Sequence, residues 1–132
     1  MDRKNLFKLL ATLIFFIFVI NFLANKFYWY YSIWYFDIIM HFLGGFWLAL
    51  VAVYLFKPTN NFLQSIPRLL LFVLVLGLGW EVFEFLFNNY LAQNYFDFWD
   101  SLSDVLFDVI GGLCAILYLH VPLEKERTGN KE

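Results

Sequence analysis

Four long apolar runs decide what this chain can fold into. They cover about residues 6–25, 33–56, 68–89 and 101–121. Each run reaches the roughly 20 residues that a helix needs to cross a bilayer, and a helix satisfies its own backbone hydrogen bonds in lipid. Because 62% of the 132 residues are hydrophobic and the mean hydropathy is +0.67, a soluble domain of this length could not bury the apolar surface. The sequence therefore predicts an all-α integral membrane four-helix bundle, with residues 1–132 in a single transmembrane domain.

The two ends of the chain are expected to be an uncleaved first span and a flexible cytoplasmic tail. Basic residues precede the first run, as in a signal peptide, but Phe22 stands where a cleavage site needs a small residue. Residues 123–132 are rich in charge and follow Pro122, so we expect them to be flexible. The net charge of −2, without a basic stripe, argues against a nucleic-acid partner.

Lysine and arginine are distributed unevenly around the predicted spans. The N-terminus, the central loop and the tail carry Arg3, Lys4, Lys8, Lys57, Arg68, Lys125, Arg127 and Lys131. The opposite side has only Lys26. Because cytoplasmic segments carry the excess of positive charge, we expect an N-in/C-in, multi-pass protein of the cell membrane, with the lipid bilayer as its surroundings.

Five carboxylates and one histidine fall inside the predicted spans. They are Asp37, His41, Glu81, Glu84, Asp104 and Asp108. Their depths in the bilayer can be counted at about 1.5 Å of rise per helical residue, and this count places all six in the outer half. Spacings of three or four residues place the pair in each span on one helix face. The same faces continue with small residues that let helices approach closely, namely Gly44 or Gly45, Gly77, Gly111 and Ala115. We therefore predict that three helices bring the six groups into one acidic cup.

The acidic cup requires a counter-charge. An ionised carboxylate at mid-bilayer costs about 2.5 to 3.5 kcal/mol, and neighbouring carboxylates also repel each other. Carboxylate oxygens with one imidazole form a ligand set for a divalent ion such as Zn²⁺, Mn²⁺, Fe²⁺ or Mg²⁺, and we predict that the six residues hold one. Shared protons, as in a proton relay, are the alternative. A metal ion is favoured because it offsets several charges at once, whereas each proton offsets one.

Both predicted outer loops are rich in aromatic residues. An aromatic belt at the membrane interface accounts for them, and the alternative is a platform on which a lipid or sugar head group stacks beside the cup. On that second interpretation, the substrate-binding residues are Trp34, Tyr35, Asn88, Trp99 and Asp100. Asp100 could instead cap the last helix, as could a capping box that begins at Ser101.

Three short motifs resemble those of VanZ-like membrane proteins, and even more those of the related YjdF-type domain of unknown function. They are Asp37-Ile-Ile-Met-His41-Phe-Leu-Gly44, Glu81-Val-Phe-Glu84 and Asp104-Val-Leu-Phe-Asp108-Val-Ile-Gly111-Gly112, with Trp99 and Asp100 ahead of the third. The resemblance covers the second to fourth spans and implies a small polytopic architecture rather than an activity. VanZ-like chains usually have Gln at the Glu84 position and Asn at Asp108. They also usually have Lys after the first Asp and Arg before the last helix, whereas Ile38 and an arginine-free outer loop stand here. The lack of these cations favours a bound metal over a glycopeptide-resistance role.

Two classes of function fit this pattern, and whether the protein is an enzyme stays open. The favoured one is a metal-binding membrane protein without an assigned activity, or one that handles ions or protons, for which four spans would suggest a homo-oligomer. The alternative is a metal-dependent hydrolase that acts on a lipid or lipid-linked head group, with Glu81 or Glu84 as the general base. Against the hydrolase, the predicted spans place no lysine or arginine beside the acids to hold a phosphate.

Overall fold

The computed structural model describes residues 1–58, 62–93 and 95–129, with side chains described as far as His120. Its helices are α1 Arg3–Lys26, α2 Trp29–Ser32, α3 Phe36–Phe56, α4 Phe62–Phe87 and α5 Phe98–Gly129, and α4 continues into one π-helical turn, Asn88–Ala92. All of them except α2 are long and apolar enough to cross a membrane, and the described residues contain no strand. This confirms the predicted all-α architecture with four candidate spans.

Helix α4, the third predicted span, begins earlier than the hydropathy pattern predicts. We expected a span that starts after Pro67, whereas α4 starts at Phe62 and includes this proline. Proline removes one backbone hydrogen bond, which here would have joined residue 67 to the carbonyl of Leu63 in the first turn. Pro67 is the sixth residue of α4, so the helix lacks this one bond early in its length and begins before the predicted boundary.

The start of α5 is fixed by Asp97. Its Oδ1 accepts the backbone N–H groups of Trp99 and Asp100, at 2.9 and 3.3 Å, which is a side-chain N-cap. The interpretation of Asp100 or Ser101 as the cap is therefore wrong, since both lie inside the first turn of the helix. At its other end α5 continues to Gly129. The predicted flexible segment 123–132 lies outside the described side chains.

Glycines allow α3 and α5 to form the closest helix pair in the bundle. A Cβ on Gly45 would overlap the main-chain carbonyl of Asp108, and a Cβ on Gly111 would overlap that of Phe42. Only a residue without a side chain lets two backbones come this near. The predicted role of the small residues is confirmed at these two positions, and α4 packs against both helices of the pair.

The first helix lies at the edge of the bundle. Among the described residues, its contacts are with α2 and α3 only. The indole N–H of Trp47 donates to the main-chain carbonyl of Leu10 at 2.9 Å, which attaches α1 to α3. Apart from the residues that pack against the bundle, such as Leu6, Leu10 and Ala24, most of α1 is exposed, including Phe15 and Phe18. Such a surface is suited to contact with lipid.

Candidate metal centre

His41 is the centre of the predicted cluster. It lies in the second turn of α3, and only 8% of its surface is exposed. The exposed fraction is also 8% for Glu81 from α4, and it is 2% and 4% for Asp104 and Asp108 from α5. Asp37, one helical turn before His41, is half-buried. The fold therefore brings polar groups from three helices to one buried position, at the end of the bundle where α3 and α5 begin.

Three carboxylates surround the Nε2 atom of the His41 ring. The distances from Nε2 are 3.9 Å to Asp37 Oδ1, 3.9 Å to Glu81 Oε1 and 3.8 Å to Asp104 Oδ2. Donor atoms that share a central ion at about 2.1 Å lie about 3 to 4.2 Å from one another. Each distance from Nε2 fits that range, so His41 could share a metal ion with carboxylates of this cluster.

Asp108 lies on the other side of the ring. Its Oδ1 is 3.3 Å from His41 Nδ1. The second oxygen, Oδ2, lies against α4 at a position where a Cβ on Gly77 would be only 2.6 Å away. The glycine therefore leaves the space that the Asp108 carboxylate occupies, and the two ring nitrogens face different partners.

Glu84 completes the cluster from the next turn of α4. Among the described residues, two groups have ligand atoms that all lie within 4.8 Å of one another. One consists of Asp37, His41 and Asp104, and the other of His41, Glu81 and Glu84. All six residues predicted from the sequence are thus close together. The sequence did not predict that Asp108 lies across the ring from the other acids.

Two oxygens of the cluster are buried without a hydrogen-bond partner among the described residues. They are Glu81 Oε1 and Asp104 Oδ1. A buried carboxylate oxygen without a partner costs several kcal/mol or is neutralised. Glu81 and Asp104 each belong to one of the two groups around His41 that could hold a metal, and a bound cation would neutralise a carboxylate of this kind.

The residues predicted to bind substrate do not all lie together. Asn88 and Asp100 line a cavity of about 90 Å³ between the end of α4 and the start of α5. Trp34, Tyr35 and Trp99 are exposed and are not part of the wall of this cavity. Only two of the five residues therefore line this cavity.

Tyr30 in α2 is a residue that the sequence analysis did not single out. It is half-buried, and its hydroxyl donates to Asn21 Oδ1 at 2.6 Å. Burial, followed by the charges of Asp37 and Glu84, raises the pKa of Tyr30 to about 12. No sequence signal separates Tyr30 from its aromatic neighbours, because its position depends on the turn at Tyr28, whose φ is 57°.

Fold and site together define a small polytopic membrane protein with a buried histidine and acidic residues that could bind a metal. The chain belongs to the family described as predicted membrane protein (DUF2238), whose profile matches residues 1–125. No curated protein and no solved structure matches the chain. The family match supports the predicted class, a small membrane protein of unknown function. The finer resemblance to VanZ-like and YjdF-type proteins stays a prediction.

Proposed function

We propose that this protein binds one divalent metal ion inside the membrane, through His41 Nε2 and the carboxylates of Asp37, Glu81 and Asp104. The observation that carries the proposal is the presence of three carboxylate oxygens, from three helices, within 3.9 Å of one imidazole nitrogen. Glu84 is close enough to serve as a further ligand or to hydrogen-bond a metal-bound water. Zn²⁺, Mn²⁺, Fe²⁺ and Mg²⁺ all suit an imidazole with hard oxygen ligands.

Charge supports a metal over protons. A protonated His41 would supply one positive charge among five acidic side chains, and it would leave Glu81 Oε1 and Asp104 Oδ1 without a hydrogen bond. A divalent ion supplies two charges and accepts electron pairs from several oxygens at once. In a medium of low dielectric this difference is large, since carboxylates a few ångströms apart repel strongly.

Asp108 has a separate role in this proposal. Histidines that bind metals commonly donate their second ring N–H to a carboxylate, which fixes the tautomer and the orientation of the ring. The contact of 3.3 Å between Asp108 Oδ1 and His41 Nδ1 supports such a pairing. Asp108 would then hold His41 Nε2 toward the ion, whereas the sequence pattern predicts that Asp108 binds the ion itself.

A metal-dependent hydrolase is a second candidate, with Glu81 or Glu84 as the general base. One observation favours it, namely that Glu84 also lines the cavity formed with Asn88 and Asp100. A lipid or lipid-linked head group would be the substrate, and Trp34, Tyr35 and Trp99 would stack against it at the interface. Residence in the cell membrane with cytoplasmic termini, and assembly into a homo-oligomer, also belong to the proposal.

Metal removal tests the proposed function. Purified protein in detergent should contain close to one divalent ion per chain, and a strong chelator should lower its melting temperature by several degrees. A ligand present at about 100 times its Kd stabilises a protein by about 2.7 kcal/mol, so one re-added ion should restore the melting temperature. Elemental analysis and a thermal scan measure the two effects.

Two variants complete the metal test. The double change Glu81→Gln/Asp104→Asn keeps the shape of both side chains and should abolish the response to chelator. Asp2→Asn, at the exposed N-terminal end, is the matched control and should respond like the unmodified protein. If metal-free protein melts at the same temperature with and without each of the four ions, the metal proposal is wrong and shared protons take its place.

A further inference from the structure

A polar cavity lies directly beside the candidate metal centre. It has a volume of about 90 Å³ and is formed by the last turns of α4, the segment 95–97 and the first turns of α5. The residues that matter here are Glu84, Asn88, Asp100, Ser101 and Asp104. Asp100 is exposed and Asn88 is half-buried, whereas Asp104 is almost completely buried. The wall therefore runs from the protein surface to the buried cluster.

The inner wall of the cavity is shared with the metal centre. Glu84 and Asp104 both line the cavity, and each belongs to one of the two groups that could hold a metal around His41. Asp104 is 2% exposed and its Oδ1 has no hydrogen-bond partner among the described residues. A species that entered the cavity would thus meet Asp104, whose Oδ1 is buried and unpaired and whose Oδ2 lies 3.8 Å from His41 Nε2.

The chemistry of the cavity selects positive charge. Its ionisable side chains other than Tyr95 are carboxylates, and no lysine or arginine belongs to its described wall. A cleft lined by one sign of charge concentrates ions of the opposite sign, and a phosphate or carboxylate would be repelled. At about 10 to 15 Å³ of cavity volume per water molecule, the cavity holds several waters. That is enough for a partly hydrated ion.

We propose that this cavity is an outer cation site, through which a partly hydrated divalent ion reaches the ligands around His41. The inference rests on the proposed function and adds the route of entry to it. Asp100 attracts the ion at the mouth, and the amide oxygen of Asn88 replaces part of its hydration shell, as amide oxygens do for hard cations. Glu84 and Asp104 then pass it to the inner site.

The rate of metal uptake tests this route. Metal-free protein in detergent is mixed with Mn²⁺ held by a weak fluorescent indicator, and the transfer of Mn²⁺ to the protein is followed by stopped flow. Asp100→Asn should slow the uptake by about three- to tenfold at low ionic strength, and the difference should shrink as salt screens the charge. Asp2→Asn removes the same charge at the far end of the bundle and should leave the rate unchanged.

A blocking experiment does not depend on the folding of the Asp100 variant. Asn88→Cys is made in a Cys114→Ala background, and the same protein is compared before and after reaction with a bulky thiol reagent. Labelling should slow the uptake of Mn²⁺ strongly, whereas labelling Tyr31→Cys, exposed at the same end but outside the cavity, should not. One outcome is that Mn²⁺ binds at equilibrium while neither Asp100→Asn nor labelling of Asn88→Cys slows its uptake. That result would show that the entry route is wrong while the metal centre stands. Protein that binds none of the four divalent ions overturns the proposed function and the route with it.

Discussion

The two nitrogens of His41 face different surroundings, and this difference divides the work of the acidic residues. Nε2 is surrounded by Asp37, Glu81 and Asp104, which come from three helices. Nδ1 faces Asp108 alone, at 3.3 Å. A carboxylate on one ring nitrogen and an open coordination position on the other is the arrangement that orients a metal-binding histidine.

The residue that tests this division is Asp108. Asp108→Asn keeps the size of the side chain but removes its charge, and we expect the affinity for the bound ion to fall about 10- to 100-fold. Equilibrium dialysis against Mn²⁺ or Zn²⁺ measures the affinity, and ¹⁵N NMR of the imidazole reports the tautomer. A loss of affinity without a change of tautomer would mean that Asp108 binds the ion directly.

Tyr30 makes a prediction about pH. Burial and the charges of Asp37 and Glu84 raise its pKa from 10.0 to about 12. The folded protein therefore holds the phenolic proton more tightly than the unfolded chain does. The contribution of Tyr30 to stability is complete below pH 10 and is lost as the pH rises toward 12. Absorbance at 295 nm should show a tyrosine that ionises near pH 12 in the folded protein.

Two substitutions identify that tyrosine. Tyr30→Phe should remove the component near pH 12, and Tyr31→Phe, at the exposed neighbouring position, should leave it in place. Retention of the component in Tyr30→Phe would show that the ring is not buried beside the two acids.

The sequence identified the six clustered residues because each lies on a helix face at a depth that can be counted. The same counting could not identify Tyr30, whose position follows from a left-handed turn at Tyr28. It also missed Asp97, because a cap is recognised only once the first residue of the helix is known. Side chains in regular helices were therefore predictable, and those in the connections were not.

At the scale of the helices, the contact between α3 and α5 sets the geometry of the centre. His41 and Asp108 come from these two helices, and Gly45 touches the backbone of Asp108 directly. A change that separates the helices would therefore also move a carboxylate away from the ring. Stability and metal affinity should respond together to substitutions at this contact.

A pair of glycine substitutions tests that link. Gly45→Ala would place a Cβ against the carbonyl of Asp108, and we expect a loss of about 1 to 3 kcal/mol in the free energy of unfolding, with weaker metal binding. In Gly79→Ala the new Cβ meets nothing within 4 Å. Alanine has the higher helix propensity, so this control should be neutral or stabilised by up to about 1 kcal/mol. Unfolding in a denaturing detergent measures both, and equal effects would contradict the close approach of the backbones.

The exact ends of α4 could not be predicted from hydropathy. α4 extends through Pro67 at its start and through the π turn Asn88–Ala92 at its end. The extension at the start contains Gln64 and Ser65, which lower the average hydropathy on which a predicted span is based. Asn88 in the π turn lies within the predicted span and lines the cavity, so the end of α4 is also part of the proposed entry route.

At the scale of the whole molecule, the charges are separated between the two ends of the bundle. The acidic cluster lies where α3 and α5 begin, and Arg3 and Arg68 lie where α3 ends. Arg3 sits 4.6 Å above the Tyr54 ring and Arg68 sits 5.9 Å from the Phe56 ring.

Hydropathy predicted four spans but could not show that α1 lies at the edge of the bundle. All four runs are similarly apolar, and the burial of a helix depends on the helices that pack against it.

The separation of charge leads to a prediction about orientation. The arginine end should face the cytoplasm, because positive residues near the ends of spans are retained there, and the metal centre should then open to the outside. In a Cys114→Ala background, a membrane-impermeant thiol reagent should label Ser32→Cys and Gln93→Cys in intact cells. It should spare Asn5→Cys until the membrane is opened. These three positions are exposed and carry no charge, so the substitutions leave the orienting residues intact. If only Asn5→Cys were labelled in intact cells, the protein would have the opposite orientation. The ion would then have to reach the metal centre from the cytoplasm.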